Sequence, residues 1–277
     1  MNATETLRRV LLRPPRRDEF ASWREYGWRA EPDPRAIEKE HDDLCALLSE
    51  AGAEVVLANE PVAGDPDAIY AYDPVLIGPR GAFLLRIGKP GRLAEAEALV
   101  PTLTAAGTPI AGRMEAPATA DGGDMFWLDE QTLLVGRGYR TNNAGIAAIR
   151  ASLMYADVIA FDLPHMHGRS EVLHLMSLVS PLADDLVVAF TPLLPVRLVE
   201  LFEEREIEMV NVPSDEFESM GANVLALAPR VGLALEGNKE TRRRLEQAGV
   251  TMYLYEGAEL SKGHGGPTCL TQPLLRE

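Results

Sequence analysis

A unit of strand, turn, strand, helix and strand recurs four times along this sequence, and no other feature limits the fold as much. The first copy starts at Asp73 with DPVLI and continues through GPRG, AFLLRI, RLAEAEALVPTLTAAG and TPIAG. The second copy is MFWL, DEQ, TLLVG, AGIAAIRASLM and DVIAF. The third runs from VLHLMSLVSPL to IEMVNV, and the fourth from ANVLALA to VTMYLY. A period of roughly 40 to 50 residues predicts a repeat architecture.

The N-terminal segment contains an incomplete copy of the unit. It supplies a strand RRVLLRP, a helix near AIEKEHDDLCALLSEAG and a strand AEVVLA, so one strand is missing. The C-terminal CLTQPLL can supply that strand. We therefore predict an α/β ring of five units, closed by pairing of the two chain ends, which leaves no exposed terminal repeat. The ring predicts a single domain over residues 1–277.

The charge balance limits the classes of partner. The chain has 42 acidic and 27 basic residues and a formal net charge of -15. Nucleic acid and anionic membranes bind to clustered basic residues, so neither is expected, whereas a small cationic substrate suits this field. No stretch approaches the ~18 uncharged apolar residues of a membrane span, and MNATETLRRVLLRPP lacks the apolar core of a secretory signal. We expect a cytoplasmic protein; a homodimer stays open.

The segment SKGHGGPTCLTQPL contains the strongest candidate for a nucleophile. Gly265, Gly266 and Pro267 form a loop that leads into Cys269, which is expected to begin an apolar strand. A cysteine on a glycine-rich loop tip is exposed and can approach a ligand, whereas Cys45 lies among leucines on a helix. Both cysteines are expected to be free thiols. Taken alone, a structural role for Cys269 is about as plausible as a catalytic one.

A nucleophilic cysteine requires an acid–base partner, and imidazole serves near neutral pH. His174 is unusual because it is predicted to lie inside an apolar strand, although an isolated histidine there is more often a satisfied core residue. Asp121, before two glycines in ATADGGD, lies on tight backbone, where a turn or cap is the alternative explanation. His165 and His167 form an H-x-H pair without a cysteine or carboxylate framework, so no metal site is expected.

Five segments in a fixed order resemble the guanidino-group modifying superfamily, which includes dimethylargininases, arginine deiminases and amidinotransferases. They are a D-P turn, DGGD, RTN before a glycine and a helix, HL, and GGPxC near the C-terminus, and they span residues 73 to 275. The resemblance implies the pentein fold, a five-bladed α/β propeller with pseudo-fivefold repeats, which is the ring predicted above. It implies no cofactor.

The resemblance also implies residue roles. Cys269 attacks the guanidinium carbon, His174 protonates the departing amine and then activates water, and Asp121 completes the triad. Asp73 pairs with the guanidinium of the substrate, a charge-assisted contact that aligns the planar group. Arg92 and Arg140 resemble the residues that bind the substrate α-carboxylate; taken alone, either is more readily explained by a surface ion pair.

The motifs point to more than one member of the superfamily. Arginine deiminases carry a second carboxylate two residues after the histidine, where this sequence has Met176, and this favours a dimethylargininase-like site with apolar room for alkylated nitrogens. The tail GGPTCLTQPLLRE resembles the deiminase ending, and Tyr72 stands where dimethylargininases usually have an acid. The sequence predicts a hydrolase that forms citrulline from N-methylated arginine or arginine. An amidinotransferase, which passes the amidino group to an amine, remains an alternative.

Overall fold

The computed structural model describes residues 2–166, 168–169 and 173–277. Within these residues, fifteen strands form five three-stranded sheets. The strands are β1 (Leu7–Leu12), β2 (Glu54–Leu57), β3 (Val75–Gly78), β4 (Gly81–Leu84), β5 (Ile110–Arg113), β6 (Met125–Trp127), β7 (Thr132–Arg137), β8 (Asp157–Asp162), β9 (Val179–Ala183), β10 (Leu186–Ala189), β11 (Glu208–Asn211), β12 (Val224–Ala228), β13 (Val231–Leu235), β14 (Thr251–Tyr255) and β15 (Thr271–Arg276). The helices are α1 (Pro34–Glu50), α2 (Glu95–Ala98), α3 (Val100–Ala105), α4 (Asn143–Ser152), α5 (Leu175–Leu178), α6 (Val196–Glu204), α7 (Ser214–Phe217) and α8 (Lys239–Gln247).

Each sheet has the strand arrangement that the repeat predicts. In the sheet β3-β4-β5 the first two strands are antiparallel and the third is parallel to the second. The sheets β6-β7-β8, β9-β10-β11 and β12-β13-β14 follow the same pattern. A parallel partner requires a crossover, which the intervening helical segment supplies. The four predicted units are therefore confirmed, although the helical stretch of the first is divided into α2 and α3.

The two ends of the chain pair with each other. Strand β15 runs antiparallel to β1, with Pro273 opposite Val10 and Thr271 opposite Leu12, and β2 adds on the other side of β1 in parallel. This fifth sheet confirms the predicted closure. Cys269 lies two residues before β15 rather than at its first position.

The apolar core lies between neighbouring sheets. Leu225 and Leu233 of the fourth unit pack in one cluster with Leu7 and Val10 of β1. In another cluster Leu11 of β1 packs with side chains of β3 and β4. Three further clusters join the first unit to the second, the second to the third, and the third to the fourth. The five sheets thus form a closed five-bladed α/β propeller.

The prediction that His174 lies inside a strand was wrong. His174 is the residue before α5, its N–H donates to Ser177 Oγ at 3.1 Å, and the strand of this unit begins only at Val179. A polar side chain is tolerated here because it faces the central cavity described below rather than the core. His167, one member of the H-x-H pair, lies outside the described residues.

Two further expectations concern the whole chain. Both cysteines are free. In the described part of the chain, no helix has the length and apolar character needed to cross a membrane.

Candidate active site

The DGGD turn brings Asp121 against the segment that carries Asp73. The N–H of Gly123 donates to Asp73 Oδ1 at 2.9 Å, and that of Gly122 donates to the Asp73 carbonyl at 2.8 Å. A Cβ atom on Gly123 would lie 2.5 Å from His174 Nδ1, so only glycine permits this approach. The glycines are required because three functional segments meet here. This requirement distinguishes the motif from an ordinary turn.

Asp121 and His174 form a buried pair. His174 Nε2 lies 3.2 Å from Asp121 Oδ2, and the other carboxylate oxygen accepts from the Gly88 N–H at 2.6 Å. Asp121 has no exposed surface and His174 is 7% exposed. The carboxylate therefore holds the imidazole in one orientation, as expected for a residue that supports an acid–base histidine.

Arg140 is held beside this pair by the RTNN segment. Its Nη1 lies 3.3 Å from Asp121 Oδ2, and the neighbouring Thr141 accepts the Asp121 N–H through Oγ1 at 3.2 Å. Asn142 then caps α4 by accepting from the Gly145 N–H at 2.7 Å. The cap and the threonine contact fix where the arginine leaves the backbone.

Arg92 lies behind Asp73 rather than in the cavity. Its Nη1 donates to Asp73 Oδ2 at 2.7 Å and its Nη2 to Glu95 Oε2 at 2.9 Å, and it is 4% exposed. The predicted contact between Arg92 and a substrate carboxylate is not supported by this position, because its guanidinium is already paired with two buried carboxylates. Sequence analysis did not identify Glu95 as a site residue, because in the sequence it is one of several acidic residues in a predicted helix.

Cys269 lies on a packed loop, and not on the loose, exposed tip that the sequence suggested. Residues 265–268 are buried, and a Cβ on Gly266 would lie 2.6 Å from the side chain of Asn223. The glycine serves close packing rather than mobility. The Asn223 Nδ2 donates to Cys269 Sγ at 3.3 Å.

Sequence analysis missed Asn223, although the repeat contains a signal for it. It stands one residue before β12, and Asp124 stands likewise before β6. Asp73 stands two residues before β3, and Cys269 stands two residues before β15. A polar residue or cysteine therefore recurs one or two residues before these strands, and this recurrence is the sequence signal that indicates Asn223.

Arg140, His174, Asn223 and Cys269 line a central cavity of about 360 Å³, whereas Asp73, Asp121 and Arg92 are not among its lining residues. Its volume lies in the range of small-molecule sites. The described residues lining it include Tyr72, Arg140, His174, Met176, Asn223 and Cys269. It combines a thiol, an imidazole and a guanidinium with apolar walls.

The ionisable groups in and around the cavity shift one another's pKa values. Burial lowers the pKa of His174, but the carboxylates of Asp124, Asp73 and Asp121 outweigh burial and raise it to about 9. Burial, and next the carboxylate of Asp73, raise the pKa of Cys269 to about 11. Burial also raises the pKa of Asp73, yet Arg92 and His174 bring it below its usual value. Burial also raises the pKa of Asp124 to about 7. Together, these shifts favour an imidazolium beside a neutral thiol in the free site at neutral pH.

A metal ion has one geometric candidate among the described residues. Ligand atoms of Asp73, Asp121 and His174 lie within 4.8 Å of one another. These atoms already bond to each other or to backbone N–H groups and Arg92. The close approach of these three side chains is thus explained by hydrogen bonds within the protein.

The structure defines a five-bladed propeller with a cysteine, a histidine and an aspartate at its centre. A sequence model of the family described as "Arginine deiminase" matches residues 101–202 and 194–276. The chain belongs to this family. The match includes Asp121, Arg140, His174 and Cys269 and begins after Asp73.

Two curated relatives carry different enzyme names. The chain is 31% identical over 214 residues to an N(G),N(G)-dimethylarginine dimethylaminohydrolase from Streptomyces coelicolor, covering 76% of each chain. It is 26% identical over 253 residues to an arginine deiminase from Listeria welshimeri, covering 76% of this chain. The chain spans 62% of the length of that deiminase.

Solved structures support the fold. A cysteine-to-serine mutant of the DDAH from Pseudomonas aeruginosa, complexed with citrulline, matches with a TM-score of 0.79 and 22% identity, covering 98% of this chain and 100% of that one. The N-terminal domain of the cyanobacterial arginine dihydrolase ArgZ, bound to substrate, matches with a TM-score of 0.84 and 18% identity, covering 97% and 98%. At these identities the likeness establishes the pentein fold alone.

Proposed function

We propose that this protein is a hydrolase that cleaves a guanidino C–N bond of an N-methylated arginine or of arginine and forms citrulline. The observation that carries the proposal is the buried His174–Asp121 pair at 3.2 Å beside a cavity that Cys269 also lines. The attack of a thiolate on a guanidinium expels an amine only if an acid protonates the departing nitrogen, and an oriented imidazolium can supply that proton. Membership of the arginine deiminase family supports the same chemistry.

Asp73 receives the guanidinium of the substrate in this proposal. Its two oxygens already accept from Gly123 and Arg92, but each carboxylate oxygen has two lone pairs and can accept again. Arg92 supports the substrate indirectly by fixing Asp73. A bound guanidinium beside Cys269 offsets the negative charge of the carboxylate, which favours the thiolate.

The reaction has two halves. In the first, the Cys269 thiol releases its proton to solvent when the cationic substrate binds, and the resulting thiolate bonds to the guanidinium carbon. His174 gives its proton to the departing nitrogen, and the C–N bond breaks to leave an S-alkylthiouronium. In the second, neutral His174 takes one proton from water, and the oxygen bonds to the same carbon. The C–S bond then breaks to give the thiolate, and the remaining hydroxyl proton is released to solvent as the C=O bond forms. Citrulline and an amine or ammonia are the products. Asp121 keeps the imidazole aligned in both halves.

Arg140 is proposed to bind the substrate α-carboxylate. It lines the cavity and is 9% exposed, and a guanidinium binds a carboxylate in a planar, bidentate manner. Its contact with Asp121 at 3.3 Å leaves other N–H groups for a ligand.

We also propose that the protein acts in the cytoplasm. That it forms a homodimer is a prediction from the sequence.

Met176 favours a methylated substrate over arginine. It lines the cavity two residues after His174, the group proposed to protonate the departing nitrogen. A thioether accommodates methyl groups there but offers an unsubstituted nitrogen no charged partner. Arginine hydrolysis is the second candidate, because the family model and the Listeria relative carry that name.

Citrulline formation from asymmetric dimethylarginine and from L-arginine, measured in parallel, tests the proposal. We expect a higher kcat/KM for the methylated substrate and a shift towards arginine, on the order of tenfold, in Met176→Asp. Met176→Leu keeps an apolar wall and is the matched control, which should retain the preference. A wild-type preference for arginine would instead favour the deiminase activity. Citrulline from neither substrate would reject the proposed function.

A further inference from the structure

Asn223 contacts the loop of the nucleophile through both ends of its carboxamide. Nδ2 donates to Cys269 Sγ at 3.3 Å, and Oδ1 accepts from the backbone N–H of Thr268 at 3.1 Å. The side chain is 7% exposed and lines the central cavity. A buried amide satisfied at both ends is held in one orientation.

The Thr268 contact determines which end of the amide faces the sulfur. A backbone N–H can only donate, so the atom opposite it must be the carbonyl oxygen of Asn223. The NH₂ group is therefore directed to Cys269. Hydrogen bonds to an ionised acceptor are stronger than those to a neutral one, so this contact stabilises the thiolate more than the thiol.

We propose that Asn223 is a further catalytic residue, whose N–H stabilises the Cys269 thiolate when it attacks and again when it leaves. The sulfur carries negative charge before the Sγ–C bond forms and after the C–S bond breaks, so the same donor acts in both halves of the reaction. The catalytic role rests on the proposed function. The contact between Asn223 and the sulfur does not.

The surroundings of the sulfur make such a donor necessary. Burial and the Asp73 carboxylate both disfavour a negative charge on Cys269, whereas the Gly266 N–H, Asn223 and Arg92 favour it. The other ionisable groups that face it are Tyr70, Tyr72 and Tyr255, and His174 lines the same cavity. Tyrosines are neutral at pH 7 and supply no charge of their own. Among these groups, Asn223 is the side chain that bonds to the sulfur itself.

The test is the pH profile of Cys269 alkylation by iodoacetamide, read by mass spectrometry of the Cys269 peptide. Asn223→Asp keeps the size and the acceptor for Thr268, but it replaces the donor with a carboxylate oxygen and adds a negative charge, so the loss of the donor without added charge is read from Asn223→Ala. Asn223→Ala removes both contacts. Asn238→Ala is the matched control: Asn238 is also 7% exposed and bonds to Ser219. The Cys45 peptide of each sample monitors the reagent and the fold.

We expect the alkylation midpoint of Cys269 to rise by about one pH unit or more in Asn223→Ala, and further in Asn223→Asp because a carboxylate adds negative charge. Asn238→Ala should not move it. Citrulline formation should fall at least roughly tenfold in both Asn223 variants. An unchanged midpoint in folded Asn223→Ala would overturn the proposal. A shifted midpoint in a protein that forms no citrulline would support the sulfur contact and reject the proposed function instead.

Discussion

Replacing Cys269 with serine is expected to lower citrulline formation by roughly 10⁴-fold or more while the protein stays folded. A serine hydroxyl is a far weaker acid than a thiol, and His174, whose pKa is raised to about 9, is already protonated at neutral pH and cannot take its proton. The fold should tolerate the change because the hydroxyl is smaller than the thiol and can still accept from Asn223. We expect the free energy of unfolding to change by about 1 kcal/mol or less.

The matched control is Cys45→Ser. Cys45 is half-buried on α1, and it is not among the residues that line the central cavity. This variant should keep its turnover. Equal losses in both variants would contradict the assignment of Cys269, as would normal turnover in Cys269→Ser.

Replacing His174 with alanine is expected to reduce steady-state turnover by roughly 10²- to 10⁴-fold. The loss has a cause that can be tested, because His174 is proposed to protonate the departing nitrogen in the first half and to activate water in the second. A substrate analogue whose leaving group is a thiolate does not need that proton. With such an analogue the variant should release one equivalent of thiol in a burst and then stop.

The burst separates an acid–base role from a structural one. If His174 served only to support the loop around it, the alanine variant would lose the burst together with steady-state turnover. Absence of a burst in a variant whose Cys269 still reacts with iodoacetamide would contradict the acid–base role.

The fold could be predicted from the sequence because each repeat unit has local patterns that indicate its strands, turns and helix. Each unit contains two apolar runs joined by a tight turn, a helical stretch and a third apolar run, and these patterns locate β6, β7, α4 and β8 to within a few residues. Closure of the ring could be predicted because CLTQPLL, at the far end, supplies the strand that the first unit lacks. Pairing of β15 with β1 is the outcome.

The site was predictable only in part, because side-chain partners depend on contacts between distant segments. The motifs predicted that Asp121 and His174 meet, and they do. The local apolar pattern around His174 predicted a strand. In the structure a short helix begins there instead, because the His174 N–H donates to Ser177 and the Leu175 N–H donates to Asp124. A local pattern cannot anticipate a hydrogen bond to a residue about fifty positions away.

Arg92 lies in the neighbourhood of the site, as predicted, and its observed partners are carboxyl groups of the protein. In sequence it resembles a residue that binds a ligand carboxylate. In the structure the nearby carboxylates belong to the protein itself, namely Asp73 and Glu95. Two carboxyl groups of the protein thus bond to the Arg92 guanidinium in the absence of a ligand, and the sequence alone does not show that these groups lie so close.

The central claim is that Cys269 forms a covalent bond with the guanidinium carbon, and mass spectrometry of acid-quenched turnover mixtures tests it directly. With asymmetric dimethylarginine or L-arginine, whichever the enzyme turns over, we predict an adduct on the Cys269 peptide equal to the substrate minus its departing amine. The adduct should be absent from the Cys45 peptide and from Cys269→Ser. Steady citrulline formation with an unmodified Cys269 peptide, under a quench that preserves thiouronium adducts, would contradict the account.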